Sequence, residues 1–348
     1  MGGDGFSARR LIPRLKYNGK NVTESLGGYL ESISYTDVAR GESDHITIRV
    51  HNIGMEWLGK WAPKKGDTIS ADFAFRDWNY KDDDFHIKAD KFTVDEVSYY
   101  GKARQAEISA VAVPSNDSFR TRERSKTWKK ITVHRIASEI AAKYKIKLLY
   151  SAGNVQIEAL EQSSETDCSF LFKLCEKYGF SMKFHNGAIV IYDQAEMEAK
   201  KAVATLHPES FLDEDYTLVD SLDRVYTGAR IAYKTVKKTK EKASVYVGYK
   251  AEDAKGARVL KLEEGADSAG EAKWIAAAKV NASNENATTL EGRVFPDKKL
   301  AAGVTVSVKG FGHCDGKYFI DEMELSVDDG KTEQHLSMHK CQKRIKRK

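Results

Sequence analysis

Residues 68–75, TISADFAF, put Ile69, Ala71, Phe73 and Phe75 on one side of an extended chain. Strict alternation is the pattern of a half-buried strand, because successive side chains in a strand point to opposite faces. The same period recurs around it. Phe92 and Val94 alternate, and Ile46, Ile48 and Val50 point one way while Thr47 and Arg49 point the other. Tyr17-Asn18-Gly19-Lys20 supplies a hairpin signal, since Asn-Gly accepts the positive φ of a type I′ turn. Residues from Leu11 to about Pro114 therefore read as short strands that build a β-barrel or sandwich.

Past Pro114 the composition changes, and Ser115-Asn116-Asp117-Ser118 leads into a basic stretch carrying Arg120, Arg122, Arg124, Lys126, Lys129 and Lys130. A domain boundary is expected there. Val133, Ile136, Ala137, Ile140, Ala141 and Tyr144 recur at helical spacing behind a Thr132 cap. A second helix carries Cys168, Leu171, Leu174, Cys175 and Tyr178 on one face, with Ser164-x-x-Asp167 as an expected capping box and Gly179 as its stop. Phe180, Met182 and Phe184 then alternate up to Asn186-Gly187, and Ile189 and Ile191 alternate away from it, so a hairpin is expected to pack on that helix.

From about Leu206 strands return: Ile231 with Tyr233, Val245 through Tyr249, Val304 through Val308, Phe319 through Val327, and Leu336 with Met338. One helix interrupts them behind the capping box Ser268-x-x-Glu271. The chain ends in a basic tail, Lys343 to Lys348, expected to be mobile. The fold class is thus α+β, mainly β. A first β-barrel module (1–116) and a second one with a helix (205–342) flank a small α/β helix–hairpin module (117–204), with residues 343–348 as the tail.

Composition narrows the function. The 348 residues are 41% hydrophobic, 31% charged and 10% aromatic, which is enough to bury cores in about two domains. Lys+Arg 56 against Asp+Glu 51 leaves +5, too small an excess to name a partner. No apolar window reaches the length of a membrane span, and no signal peptide is expected, so folding in the cytoplasm is the expectation. Four cysteines are too few for a disulfide scaffold. Cys168 and Cys175, seven apart on one helix, are separated by about 10.5 Å, beyond disulfide reach, and read as core thiols.

No motif selects a catalytic site, a cofactor site or a metal site. Gly310-Phe311-Gly312-His313-Cys314-Asp315-Gly316 has the wrong glycine spacing for a dinucleotide loop and lies between strand patterns, so Asp315-Gly316 reads as a hairpin turn. His313, Cys314, His335, His339 and Cys341 form the one group with metal-ligand character, but without the paired spacing of a zinc site. No local feature singles out two carboxylates for glycoside hydrolysis, although a peptidoglycan hydrolase or glycan-binding module is the alternative reading. The basic stretches 120–130 and 234–242 are interrupted by Glu123 and Glu241 and read as solvated faces or subunit contacts, with no specific nucleic acid expected.

Several blocks, in order along the chain, resemble the phage late-control gene D family. These contractile-tail baseplate hub proteins also occur in R-type bacteriocins and are related to the N-terminal part of type VI secretion spikes. The blocks are Tyr17-Asn18-Gly19-Lys20 with Val22-Thr23, Tyr35-Thr36-Asp37, Gly41-Glu42-Ser43-Asp44 before Ile46-Thr47-Ile48, Trp57, Trp61-Ala62-Pro63 with Gly66-Asp67, Gln162 to Leu171 ending at Tyr178-Gly179, and Leu300 to Val306 with Gly310-Phe311-Gly312 and Asp315 to Ile320. The resemblance implies a structural, non-enzymatic hub in the tail baseplate. Three copies would form a ring whose paired β modules meet the hexameric tail tube, with the central spike on the other face. Implied partners are a second and third copy of the chain, the tube protein, a separate spike protein, and baseplate and tape-measure proteins. The basic tail and the His/Cys cluster depart from the family's pattern.

Overall fold

A computed structural model describes residues 8–41, 43–113, 117–223, 225–233, 243–248, 258–328 and 330–346. The N-terminal part is β1 (Arg10–Tyr17), β2 (Lys20–Asn21), α1 (Thr23–Gly27), β3 (Leu30–Val38), β4 (His45–His51), β5 (Thr68–Arg76), β6 (Phe85–Tyr100) and β7 (Gln105–Val111). The middle is α2 (Asp117–Thr121), β8 (Glu123–Thr132), α3 (Val133–Tyr144), β9 (Lys147–Ser151), β10 (Gln156–Thr166), α4 (Asp167–Tyr178), β11 (Ser181–His185), β12 (Ala188–Tyr192) and α5 (Gln194–Glu198). There follow β13 (Thr205–Leu206), β14 (Phe211–Asp220), β15 (Gly228–Tyr233), β16 (Ala243–Gly248), β17 (Val259–Ala266), α6 (Ala269–Glu285), β18 (Thr288–Val294), β19 (Thr305–Val308), β20 (Gly316–Asp328) and β21 (Lys331–Lys340).

Local chemistry explains the elements that were legible. In β5 Ile69, Ala71, Phe73 and Phe75 are all buried, and each fully buried Phe contributes about 2 kcal/mol of apolar transfer. Asn18 (φ +48°) and Gly19 (φ +79°) make the β1–β2 turn, and Asn186 with Gly187 the β11–β12 turn. Thr132 caps α3 by accepting the Arg135 N–H at 3.2 Å, and left-handed Gly179 ends α4. The α4 cap differs from the expectation. Thr166 Oγ1 accepts the Ser169 N–H, whereas Ser164 sits at φ +45° in a bulge of β10 against β8. The β19–β20 connection is also no two-residue hairpin: a short 3-10 turn at Gly312–Cys314 fills it, and Asp315 accepts the Phe311 N–H.

Strands from both ends of the chain join in one large sheet, ordered β14-β18-β21-β20-β3-β4-β7-β6-β5-β1-β2, with β19 beside β20 and β13 beside β19. The order is an open path, and neither half closes into a barrel of its own. The reason is that β20 and β3 use their edges on each other, from Glu322↔Val38 to Asp328↔Ser32. One apolar core, from Leu15 to Met338, underlies both halves. A second core joins α3, α4 and the β11–β12 hairpin to β15 and α6, so these two elements, which lie between β14 and β18 in the chain, pack on the central unit. The Tyr178 hydroxyl donates to Glu271 at 2.7 Å, and the Trp274 indole N–H to the Tyr178 carbonyl at 2.7 Å.

The two halves repeat one antiparallel design. β3-β4-β7-β6 flanked by β5 matches β14-β18-β21-β20 flanked by β19. Left-handed Gly66 (φ +90°) donates to the Val94 carbonyl at 2.9 Å, and left-handed Gly303 (φ +87°) to the Ile320 carbonyl at 2.8 Å. Both long strands then bulge, between Val94 and Glu96 and between Ile320 and Glu322. Aligning Tyr35·Ile46·Ala110·Val94 on Leu218·Leu290·Met338·Ile320 makes Asp37 equivalent to Asp220, Ala39 to Leu222 and Asp95 to Asp321.

Candidate functional site

The described surface is organised by a buried polar junction between the large sheet and the central unit. At one end Lys183 of β11 stands 2.6 Å from Asp37 Oδ1 and 3.1 Å from Asp44 Oδ1. Asp37 Oδ2 also accepts the Ala302 N–H at 3.0 Å, and Asp44 the Val38 N–H at 3.0 Å. The Tyr192 hydroxyl donates to the Ala39 carbonyl, and Gly41 N–H to the Met182 carbonyl at 3.2 Å. Burial disfavours the Lys183 ammonium, but Asp37 and Asp44 outweigh it and raise its pKa, so the cation is fixed.

At the other end Arg344 bridges Glu198 and Glu285, its Nε 2.8 Å from Glu198 Oε2 and its Nη2 2.7 Å from Glu285 Oε1. Arg40 pairs with Glu285, and His339 is held between Asp321 (2.6 Å) and Glu198 (3.0 Å). Burial opposes the charged imidazole, yet Asp321 and Glu198 hold His339 up at about 9. Burial likewise opposes the Glu198 carboxylate, and Arg344 and His339 keep its pKa well below the usual range. Ile345 is buried, and its backbone N–H and carbonyl pair with Asn281 at 2.8 and 2.9 Å. The tail expected to be mobile is thus anchored at Arg344 and Ile345; residues 347 and 348 lie outside the described residues.

The structure divides the His/Cys group. His313 and Cys314 lie beside Asp220, and His339 beside Glu198 and Glu285, with His335 and Cys341 in neither cluster. In the second cluster the Arg344 guanidinium takes the place between the carboxylates that a cation would need, and both His339 nitrogens are engaged. Cys168 and Cys175 are free thiols, raised by burial to about 11 and about 12, as suits core packing.

Half of the cations of the basic stretch 120–130 are paired, Arg120 with Asp95, Arg124 with Asp167 and Lys126 with Glu139, and Arg122, Lys129 and Lys130 are exposed. Trp128 is buried and stacks parallel to Phe170 at 6.1 Å, so its ring faces are not open to a base. The boundary at 114–116 and the stretch 234–242 lie outside the described residues.

Two of the longer strand edges of the large sheet are open among the described residues. β14 pairs with β18 alone, and the second half of β6, from Asp95 to Tyr100, pairs with β7 alone. Near the latter, Tyr17, Trp57, Trp61 and Lys64 line a groove of about 460 Å³. Exposed strand edges pair readily with another chain, and exposed apolar grooves mark places where partners bind.

The sequence profile of the phage tail baseplate hub (GPD) family matches residues 93–331. The chain belongs to this family. It is 24% identical over 179 residues to a probable baseplate hub protein of Escherichia phage P2, an alignment covering 51% of this chain and 43% of that protein. The chain thus matches less than half the length of this curated relative. Its fold is similar to the 43 kDa tail protein of prophage MuSo2 from Shewanella oneidensis, with a TM-score of 0.70, 14% identity, and coverage of 95% of this chain and 98% of that one. A tail protein of Neisseria meningitidis MC58 gives a TM-score of 0.67 at 13% identity, covering 95% and 96%. The proteins it matches are phage tail and baseplate hub proteins.

Sequence reasoning missed the junction. Its partners lie up to 265 residues apart, as in the Asp37–Ala302 hydrogen bond, and no local pattern links them.

Proposed function

We propose that the hub chain forms a homotrimeric ring that adapts the sixfold tail tube to the threefold central spike. The observation that supports this is the repeated strand order: two like modules per chain, taken three times, present six similar positions to the tube. The open edges fit the same scheme. Inside the chain β20 meets β3, and the equivalent strands left open are β6 and β14, which lie at separate places in the sheet path. A contact between two different edges is head-to-tail, and such contacts make a ring when the rotation between copies closes, here at three. In the ring the strands would continue from chain to chain, so that barrel closure belongs to the trimer.

The units of this reading are the first module (1–116), the central unit (117–204) and the second module (205–342), whose β15 and α6 reinforce the central unit. The ionic junction would let the ring carry the load of contraction as one body. Tube, spike, baseplate and tape-measure proteins are the proposed partners, in a phage or a phage-tail-like bacteriocin. Native mass spectrometry of the full chain, alone and with its tube protein, tests the ring: particles of three chains support it, and a monomer under both conditions contradicts it.

A further inference from the structure

Leu222 is 83% exposed, the most exposed of the large apolar side chains described, yet it is held in an ordered turn. Its carbonyl accepts from Arg258 Nη1 at 2.8 Å and from the Val225 N–H at 3.2 Å. Its repeat equivalent, Ala39, is 1% exposed. The difference has a structural source. Ala39 is covered because β20 lies against β3, and its N–H donates to the Asp321 carbonyl at 2.7 Å. Two residues earlier, Asp37 accepts the N–H of Ala302, in the turn that ends at Gly303. At the second site the corresponding pieces are all present in the chain but apart. Asp220 stands for Asp37, Asp95 for Asp321, and Lys65, just before Gly66, for Ala302.

Resting on the ring reading, we propose that Asp220 and Leu222 of one copy dock on the Lys65–Gly66 turn and Asp95 of the next. The register is copied from β20 and β3. Glu322↔Val38 and Met323↔Asp37 inside the chain become Glu96 against Ser221 and Val97 against Asp220 between copies. In this contact the Asp220 carboxylate accepts the Lys65 N–H, and the Leu222 N–H donates to the Asp95 carbonyl. The Leu222 side chain leaves water beside the aromatic groove that Trp61 and Lys64 line. Exposed Lys64 and Lys65 flank the Gly66 turn that Asp220 would meet, while the receiving strand also exposes Asp95 and Glu96. The pieces that the repeat leaves unmatched are this chain's own, so the occupant is a second copy of it.

Two measurements on the full chain test the contact. Leu222→Asp should weaken trimer formation at least tenfold by sedimentation with far-UV circular dichroism unchanged, because its side chain is exposed in the single chain; Asp220→Lys should do the same, with Thr288→Ala, which removes the in-chain hydrogen bond of Asp220 and no contact between copies, as its folding control. A photoreactive phenylalanine derivative at position 222 should cross-link, between copies, to peptides containing Lys64–Gly66 or Asp95. Trimers that survive both substitutions, or cross-links that map elsewhere in an intact trimer, overturn this contact and leave the ring standing. A wild-type chain that stays monomeric with its tube protein present overturns the ring reading as well.

Discussion

Lys183 Nζ lies 2.6 Å from Asp37 Oδ1 with both side chains only 12% exposed, and this contact ties the central hairpin to the sheet that both ends of the chain share. Asp44 completes the site at 3.1 Å. Removing the one cation leaves two buried carboxylates facing each other, a change that costs about 3–5 kcal/mol in comparable settings. Lys183→Ala should lower unfolding free energy by that amount in a denaturant titration; a loss below about 1 kcal/mol would show that water or rearrangement compensates the pair.

His339 gives the junction a pH dependence whose sign follows from its surroundings. Asp321, Glu198 and Glu285 face it as anions, while Arg344 and Arg40 balance them. Its folded pKa of about 9 exceeds the ordinary 6.5, so the stabilisation is fully present below pH 6.5 and is lost as pH rises through 9. Between pH 6.5 and 10 the wild-type chain should lose up to roughly 3 kcal/mol more than His339→Gln, measured by thermal or denaturant unfolding. Parallel pH curves for the two proteins would exclude a charged His339.

The start of α4 separates two cap assignments. Thr166 Oγ1 accepts the Ser169 N–H, so Thr166→Ala should cost about 1 kcal/mol. Ser164 is left-handed at φ +45°, so Ser164→Gly should be neutral or stabilising by a few tenths of a kcal/mol. Equal losses at both positions would return the cap to Ser164.

Periodicity made β4, β5, α3 and the β11–β12 hairpin legible because their apolar residues face one core across a short span of sequence. The Ser164 cap was misread because Ser-x-x-Asp occurs one bulge upstream of the true cap, and bulges leave no periodic trace. The anchoring of Arg344 was hidden for another reason: a basic tail reads as solvated unless its carboxylates, Glu198 and Glu285, are known to be near. One signal was present and unused. Val94-Asp95-Glu96-Val97 and Ile320-Asp321-Glu322-Met323, with Gly66-Asp67-Thr68-Ile69 and Gly303-Val304-Thr305-Val306, are the repeat written in sequence. The 221–287 segment, inserted where β3 and β4 have only a short turn, breaks the spacing that would have exposed it.

Cryo-electron microscopy of the hub chain bound to the end of its tail tube measures the central claim directly. The account predicts three copies in a closed ring, six like modules facing the tube, and β14 of each copy paired with the second half of β6 of the next. A ring of six chains, a twofold assembly, or three chains whose β14 and β6 edges stay apart would contradict it.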